Sequence, residues 1–329
     1  MSDIFLPQSD AADALVGSLH TVTYVTSKGQ AIHDIFTQGF ELEAGDSEVQ
    51  SDPTINDYLG MSPTESWRAR SYNRSGALAN VQIRALCKDE PGDLVRPSID
   101  GLVVGGLSIG FPMSKFTDRE KAMAAQGHPS TIGLKQLEFQ SPTGETYVSG
   151  EIHFTTPEHC FLLGVQRPDV FVPVGPLDET SGIGAAAYSA RCVARTDRLI
   201  DFFEHVFGYE TRRDMTMIVG DNSGLLMPEG VSERFVQLFA VGSRTGYLVL
   251  LDHEQDRKPS PANTLGPPSE GVSMWSFSTR DIDEVHRRAQ QYGCTIVSPP
   301  AQRSSPLLPT AHTMMLRDPD GFMLELFQQ

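Results

Sequence analysis

Four times along its 329 residues the chain runs an apolar strand into a short amphipathic helix, and this repetition limits the fold more than any other feature. Gly17 to Ser27 (GSLHTVTYVTS) reads as a strand, and Gln30 to Phe40 follows with Ile32, Ile35 and Phe36 at helical spacing before Gly39 ends the turn. GGLSIGFPMS from Gly105 precedes Thr117-Asp118-Arg119-Glu120, a capping-box pattern ahead of a segment rich in Ala and Met. AAAYSARCV from Ala185 leads to a helix from about Thr196, with Leu199, Phe203, Val206 and Phe207 on one stripe and Gly208 as its stop. GVSMWSFST from Gly271 leads to Asp281 and Glu284 as a second capping box, Ile282, Val285 and Ala289 as the stripe, and Gly293 as the stop.

Counted from Leu19, Leu107, Ala186 and Ser273, the starts lie 79 to 88 residues apart. Each interval holds a strand, a helix and about three more strands, so the fold class is α+β, with four βαβββ modules in tandem. Gly39-Phe40-Glu41 after the first helix echoes Gly208-Tyr209-Glu210 after the third. Pro- and Gly-rich breaks fall at 91–101, 167–184 and 257–271. The expected division is a first domain over 1–175 (modules 17–95 and 101–170) and a second over 176–329 (modules 182–256 and 270–329). Spacing alone leaves open whether modules pair one with two and three with four, or one with four and two with three.

The last module ends in MMLRDPDGFMLELFQQ, Met314 to Gln329. Asp318-Pro319-Asp320-Gly321 has type I turn chemistry, so two strands meet there in a hairpin. In the outgoing strand, alternation puts Met323, Glu325 and Phe327 on one face. A carboxylate between two large apolar side chains needs a cation or a hydrogen-bond partner, unless that face is wet.

Strand-DPDG-strand with a Glu four residues after the Gly resembles the end of a vicinal oxygen chelate domain, the superfamily of glyoxalase I, extradiol dioxygenases, epimerases and bleomycin-binding proteins. Four modules resemble its two-domain form, which implies two half-barrels with sites on their inner faces. In metal-dependent members the Glu is a ligand and an inward His stands in the first strand of a module. Here the resemblance places Thr21, Tyr188 and Met274 at those histidine positions, with His20 next to Thr21. Only Glu325 of the usual triad remains, and a carboxylate with a thioether and a hydroxyl is a poor set for iron, zinc or nickel. The expectation is therefore no metal and no other cofactor. The alternative is one divalent ion, Fe, Mn or Zn, held by Glu325 and His20 if the strand register differs.

Other candidates are His312, on the strand entering the last hairpin and facing with Met314 and Leu316, and Met315 and Arg317 on its opposite face. Arg68, Arg70 and Arg84 lie on strands of the first module, where inward-facing guanidiniums would clamp an anion. His253 ends a strand near a barrel rim and reads as exposed. The expected catalytic set is Glu325 as base with Tyr188 or His312 as acid, and the expected substrate contacts are Thr21, Met274, Met315, Arg317 and His20.

A net charge of -16 argues against nucleic acid and anionic membrane as partners, which leaves a small molecule; a homodimer stays open. Cys87, Cys160, Cys192 and Cys294 are dispersed with no CxxC, which fits free thiols in a reducing cytoplasm. MSDIFLPQSDAADALVG has no cationic start followed by an apolar run, so the chain is expected to be soluble and unprocessed. No P-loop, GxGxxG or HExxH is present. Three functions remain. The leading one is a lyase or isomerase moving a proton on an aromatic or carbonyl metabolite without the usual triad. The others are a metal-dependent ring-cleaving dioxygenase or glyoxalase-like enzyme, and a non-catalytic binding protein of the resistance kind with an apolar cleft.

Overall fold

A computed structural model describes residues 13–74, 81–140, 144–167, 174–219, 227–305 and 308–328. The N-terminal twelve residues, Gln329 and part of the break expected at 167–184 lie outside them.

Module one comprises β1 (Val16–Thr26), α1 (Gly29–Asp34) continued by a π turn (Ile35–Gly39), β2 (Glu43–Ala44), β3 (Glu48–Gln50), α2 (Pro53–Leu59), β4 (Trp67–Asn73) and β5 (Gln82–Lys88). Module two comprises β6 (Gly105–Pro112), α3 (Phe116–Ala125), β7 (Ile132–Gln140), β8 (Thr146–Thr155) and β9 (Phe161–Gln166). Module three comprises β10 (Tyr188–Cys192), α4 (Thr196–Phe202) with a π turn (Phe203–Phe207), β11 (Glu210–Ile218), β12 (Ser232–Phe239) and β13 (Tyr247–Asp252). Module four comprises β14 (Gly271–Thr279), α5 (Ile282–Tyr292), β15 (Thr295–Ser305), β16 (Leu308–Arg317) and β17 (Met323–Gln328).

Most of the local signals hold. Asp281 caps α5 by accepting from the Glu284 amide at 2.9 Å, and Gly208 and Gly293 end their helices at φ 77° and 84°, a conformation that favours glycine. The box at Thr117 does not cap α3. That helix starts one residue earlier at Phe116, after Lys115 at φ 53°, with no side-chain cap.

The strands form two curled sheets, half-barrels of the vicinal oxygen chelate fold. One runs β15-β16-β17-β14-β1-β5-β4-β2, with β3 beside β4; the other runs β11-β12-β13-β10-β6-β9-β8-β7. First strands pair antiparallel, β1 with β14 and β6 with β10, so module one joins module four and module two joins module three. A division at residue 175 therefore does not follow the sheets, because the first half-barrel takes its strands from both ends of the chain. The break segments make this crossing together: the Val95 amide bonds the Glu270 carbonyl and the Val104 amide the Lys258 carbonyl, at 3.0 and 2.8 Å.

One face of each sheet, together with the helices, builds a shared core that includes Val22, Tyr24, Phe36, Phe111, Phe154, Leu250, Trp275 and Leu324. Polar ties cross it. The buried Arg191 on β10 pairs with buried Asp318 of the DPDG turn, the Ala194 amide bonds Asp320 at 2.7 Å, and Trp275 Nε1 donates to Ser189 Oγ at 2.9 Å. The opposite, inner faces are left to line the two half-barrels.

Candidate functional site

The repeat gives every inner-face position an equivalent. Thr21, Ser108, Tyr188 and Met274 each stand eight residues before the first residue of the following helix, at Gly29, Phe116, Thr196 and Ile282. Two residues further along, Thr23, Gly110, Ala190 and Ser276 pair in parallel register with Arg84, Leu163, Val249 and Glu325. Among these four equivalent places, one half-barrel holds an arginine and a glutamate and the other two aliphatic side chains.

Arg84 and Glu325 meet at the centre of the first half-barrel, 2% and 1% exposed. Arg84 Nη1 and Nη2 both donate to Glu325 Oε2 at 3.1 Å, and Ser276 Oγ donates to the same oxygen at 2.6 Å. Tyr58, brought over the inner face by α2, donates to Oε1 at 3.1 Å. Burial and the adjacent carboxylate push the Tyr58 phenol well above its ordinary value, so it remains a donor. Met315, paired with Glu325 across the hairpin, joins Met274, Met323, Ile55, Tyr58 and Trp67 in the apolar wall around this centre. Two buried polar atoms beside it have no partner, Arg84 Nε and Thr23 Oγ1.

His20 reaches the same side through an irregularity in β1. The β1–β14 register slips between Leu19 and Thr21, and a bulge there breaks strict alternation. His20 Nδ1 lies 2.8 Å from Thr21 Oγ1, and the ring meets Phe327, which alternates with Glu325, edge-on at 5.0 Å between centroids. His20 is exposed to solvent, yet partial desolvation by the surrounding protein and then the Arg84 charge lower its pKa from 6.5, against a smaller upward pull from Glu325. Thr21 Oγ1 in turn donates to Gln82 Oε1 at 3.4 Å.

A cavity of about 250 Å³ opens beside this centre, lined by Asp46, Glu48, Ala69, Arg70, Ser71, Gln82 and Arg84.

Of the residues singled out from sequence, Glu325, Thr21, Met274, Met315 and His20 share this inner face. His312 does not: it alternates with Met314 and Leu316, which pack into the shared core, whereas its neighbour Met315 is the one opposite Glu325. Arg317 holds the hairpin instead, donating to the Gly321 carbonyl at 2.8 Å. Tyr188 lies in the second half-barrel, across Gly110, where an added Cβ would stand 1.9 Å from the ring, and stacks on Tyr247 at 4.9 Å. His253 is buried rather than exposed, 3.1 Å from Glu233.

Arg84 was visible as an inward candidate, and the repeat holds the signal that raises it, since it is the module-one counterpart of Glu325. Tyr58 and Ser276 carry no such signal. Tyr58 depends on where an inserted helix lands, and Ser276 on strand pairing.

The architecture is the vicinal oxygen chelate fold in tandem form. Residues 185–326 match the family model described as the Glyoxalase/Bleomycin resistance protein/Dioxygenase superfamily. Glyoxalase I from Zea mays superposes with a TM-score of 0.63 at 14% identity, covering 94% of this chain and 92% of its own. A putative dioxygenase from Bacillus subtilis strain 168 gives 0.58 at 15% identity, over 97% and 86%. No curated protein matches the chain in sequence. Among the described residues, no group of three or more His, Cys, Asp or Glu side chains is placed to hold a metal ion, and no helix is long and apolar enough to cross a membrane.

Proposed function

We propose that the inner face of the module one–four half-barrel is the site of a small-molecule enzyme that transfers a proton beside a carbonyl, a lyase or isomerase, with no divalent ion at its centre. The observation that carries this reading is Arg84, which stands at the position equivalent to Glu325 and neutralises it. A hydroxyl (Thr21), a thioether (Met274) and a guanidinium do not fit a divalent ion, and the permanent charge of the guanidinium repels one. The maize glyoxalase I and the Bacillus dioxygenase share the fold, and a fold by itself does not select the reaction.

The same pairing changes the role of Glu325. With three donors on Oε2 and one on Oε1 it anchors Arg84, and the proton acceptor becomes His20. The Thr21 hydroxyl proton points to Gln82, so His20 donates from Nδ1 to Thr21 Oγ1 and keeps the Nε2 lone pair for a substrate proton. Its lowered pKa keeps it neutral at physiological pH. The Arg84 edge not used by Glu325 faces the oxygen on which charge would develop.

The test uses metal-free protein in D2O with a panel of 2-oxo acids and aryl ketones, following exchange of the α-hydrogens by NMR. The expected result is exchange that falls by roughly 10²-fold or more in His20→Ala, the usual contribution of a positioned base. Exchange that appears only after iron, manganese, zinc or nickel is added would overturn the reading, as would binding with no exchange.

A further inference from the structure

The proposed site has a charge layout that narrows its ligand. Arg84 presents its Nη1 and Nη2 end to a single oxygen of Glu325. A guanidinium has five N–H groups, so its Nε side remains, and Nε is buried with no partner. Thr23, the residue in register with Arg84, is fully buried with its hydroxyl also unpartnered. Two unmet donors of this kind, left in a protein interior, call for an acceptor from outside the chain. The cavity that reaches Arg84 has Arg70, Ser71 and Gln82 on its walls, and Asp46 and Glu48, both exposed, at its outer side. Neither carboxylate has an ion-pair partner among the described residues.

We propose that this cavity binds a small amino-carboxylate: its carboxylate against the Nε edge of Arg84 and the Thr23 hydroxyl, its ammonium between Asp46 and Glu48. The inference rests on the functional reading above and names its substrate class. A carboxylate suits the planar Arg edge because two parallel N–H donors match its two oxygens. With Arg70 and Arg84 on the walls and Asp46 and Glu48 at the outer side, a zwitterion finds a partner for each of its charges, where a simple dianion would meet like charges at one end. At about 250 Å³ the space is below the roughly 300–1,000 Å³ of drug-sized pockets, so the ligand is a metabolite of modest size.

Calorimetric titration of the full chain with glycine, β-alanine, 4-aminobutyrate and 6-aminohexanoate, beside butyrate and butylamine, tests it. One amino-carboxylate should bind at least tenfold more tightly than either singly charged compound. The Asp46→Asn/Glu48→Gln variant should remove that advantage without weakening butyrate binding, and Thr23→Val should weaken butyrate and amino-carboxylate alike. Butyrate binding as tightly as the best amino-carboxylate would overturn the proposal, as would no binding of any of the six compounds at 10 mM. Binding is read here without turnover, so an amino-carboxylate that binds but exchanges no proton sinks the catalytic reading alone. Proton exchange on ketones with no dependence on Asp46 or Glu48 sinks the ligand class alone.

Discussion

Arg84 and Glu325 occupy equivalent positions in the first and last modules and are each other's counter-ion, 3.1 Å apart and nearly sealed from solvent. Two copies of one module, facing each other across a pseudo-twofold axis, have taken opposite charges at one place. The buried carboxylate of Glu325 is therefore balanced by a cation that the chain itself supplies.

The pair is expected to be tightly coupled in stability. Arg84→Met leaves a buried carboxylate uncompensated and should cost roughly 3–5 kcal/mol, while Arg84→Met/Glu325→Leu should cost much less than the sum of the two single changes. Urea unfolding of the four proteins measures this. Additive effects would show that the two side chains do not interact as described.

Glu325→Gln separates anchoring from catalysis. A carboxylate that takes the substrate proton would lose roughly 10²- to 10⁴-fold in turnover on this change. An anchor for Arg84 should instead lose stability and ligand affinity, because the single amide oxygen replaces only one of the two acceptors used by Ser276 and Tyr58 and no longer balances the guanidinium. Parallel unfolding, binding and turnover measurements on one preparation decide between them.

How much of this was legible in the sequence varies with the range of the interactions. Helix stops such as Gly208 and Gly293 and the turn at Asp318-Pro319-Asp320-Gly321 are set by residues close in sequence, and they fall where their chemistry puts them. Alternation and the hairpin left Glu325 on either a buried or a wet face, and the resemblance at the DPDG turn is what pointed it inward. The module pairing was not readable, because all four first strands carry similar apolar alternation and any two would pair. The facing of His20, a candidate contact beside Thr21, was not readable for a different reason: a bulge between Leu19 and Thr21 overrides the period of two on which facing was judged. His253 looked like a rim residue because its partner Glu233 is brought close only by the β12–β13 pairing.

The lowered pKa of His20 has a defined effect on pH dependence. Its folded-state pKa lies below the 6.5 of the ordinary imidazole, so the unfolded chain binds the proton first as pH falls. Stability from this group is complete above pH 6.5 and is lost as pH drops from 6.5 towards the folded value. An NMR titration of the His20 ring should show a midpoint below 6.5, and Arg84→Met should move it up by removing the nearby charge. A midpoint above 6.5 in the native protein would show that desolvation and the Arg84 charge do not govern the ring.

His253 titrates in the opposite direction. Burial alone would lower it, but Cys192 and Glu233 outweigh that and raise it to about 10. A His with a raised pKa contributes stability that is complete below about pH 6.5 and lost as pH rises through 10. Thermal unfolding between pH 7 and 10.5 should show a decline that is absent in Glu233→Gln/His253→Gln. An unchanged slope in that double variant would remove the protonated pair.

The seam between the two half-barrels depends on Arg191 and Asp318. Arg191 is buried on β10, with its guanidinium 4.6 Å from the Phe322 ring centroid and 5.1 Å from that of Trp275, and its counter-ion comes from the DPDG turn of the other sheet. Asp318 also shapes its own turn, because Oδ1 accepts from the amides of Asp320 and Phe322 at 2.9 and 3.0 Å. Burial raises its pKa above the ordinary carboxyl value of 3.8 despite the Arg191 charge, so the folded state takes up the proton first and stability from this group falls as pH rises through that window. Asp318→Asn keeps an oxygen for the two turn amides and puts an uncharged NH2, a donor, where Arg191 had its acceptor. The turn should therefore survive, while Arg191 is left buried without a counter-ion at a cost of roughly 3–5 kcal/mol. Adding Arg191→Met should recover most of that loss by removing the stranded cation. Urea midpoints for the single and double variants test this, and a double variant no more stable than Asp318→Asn would assign the loss to the turn and not to the seam.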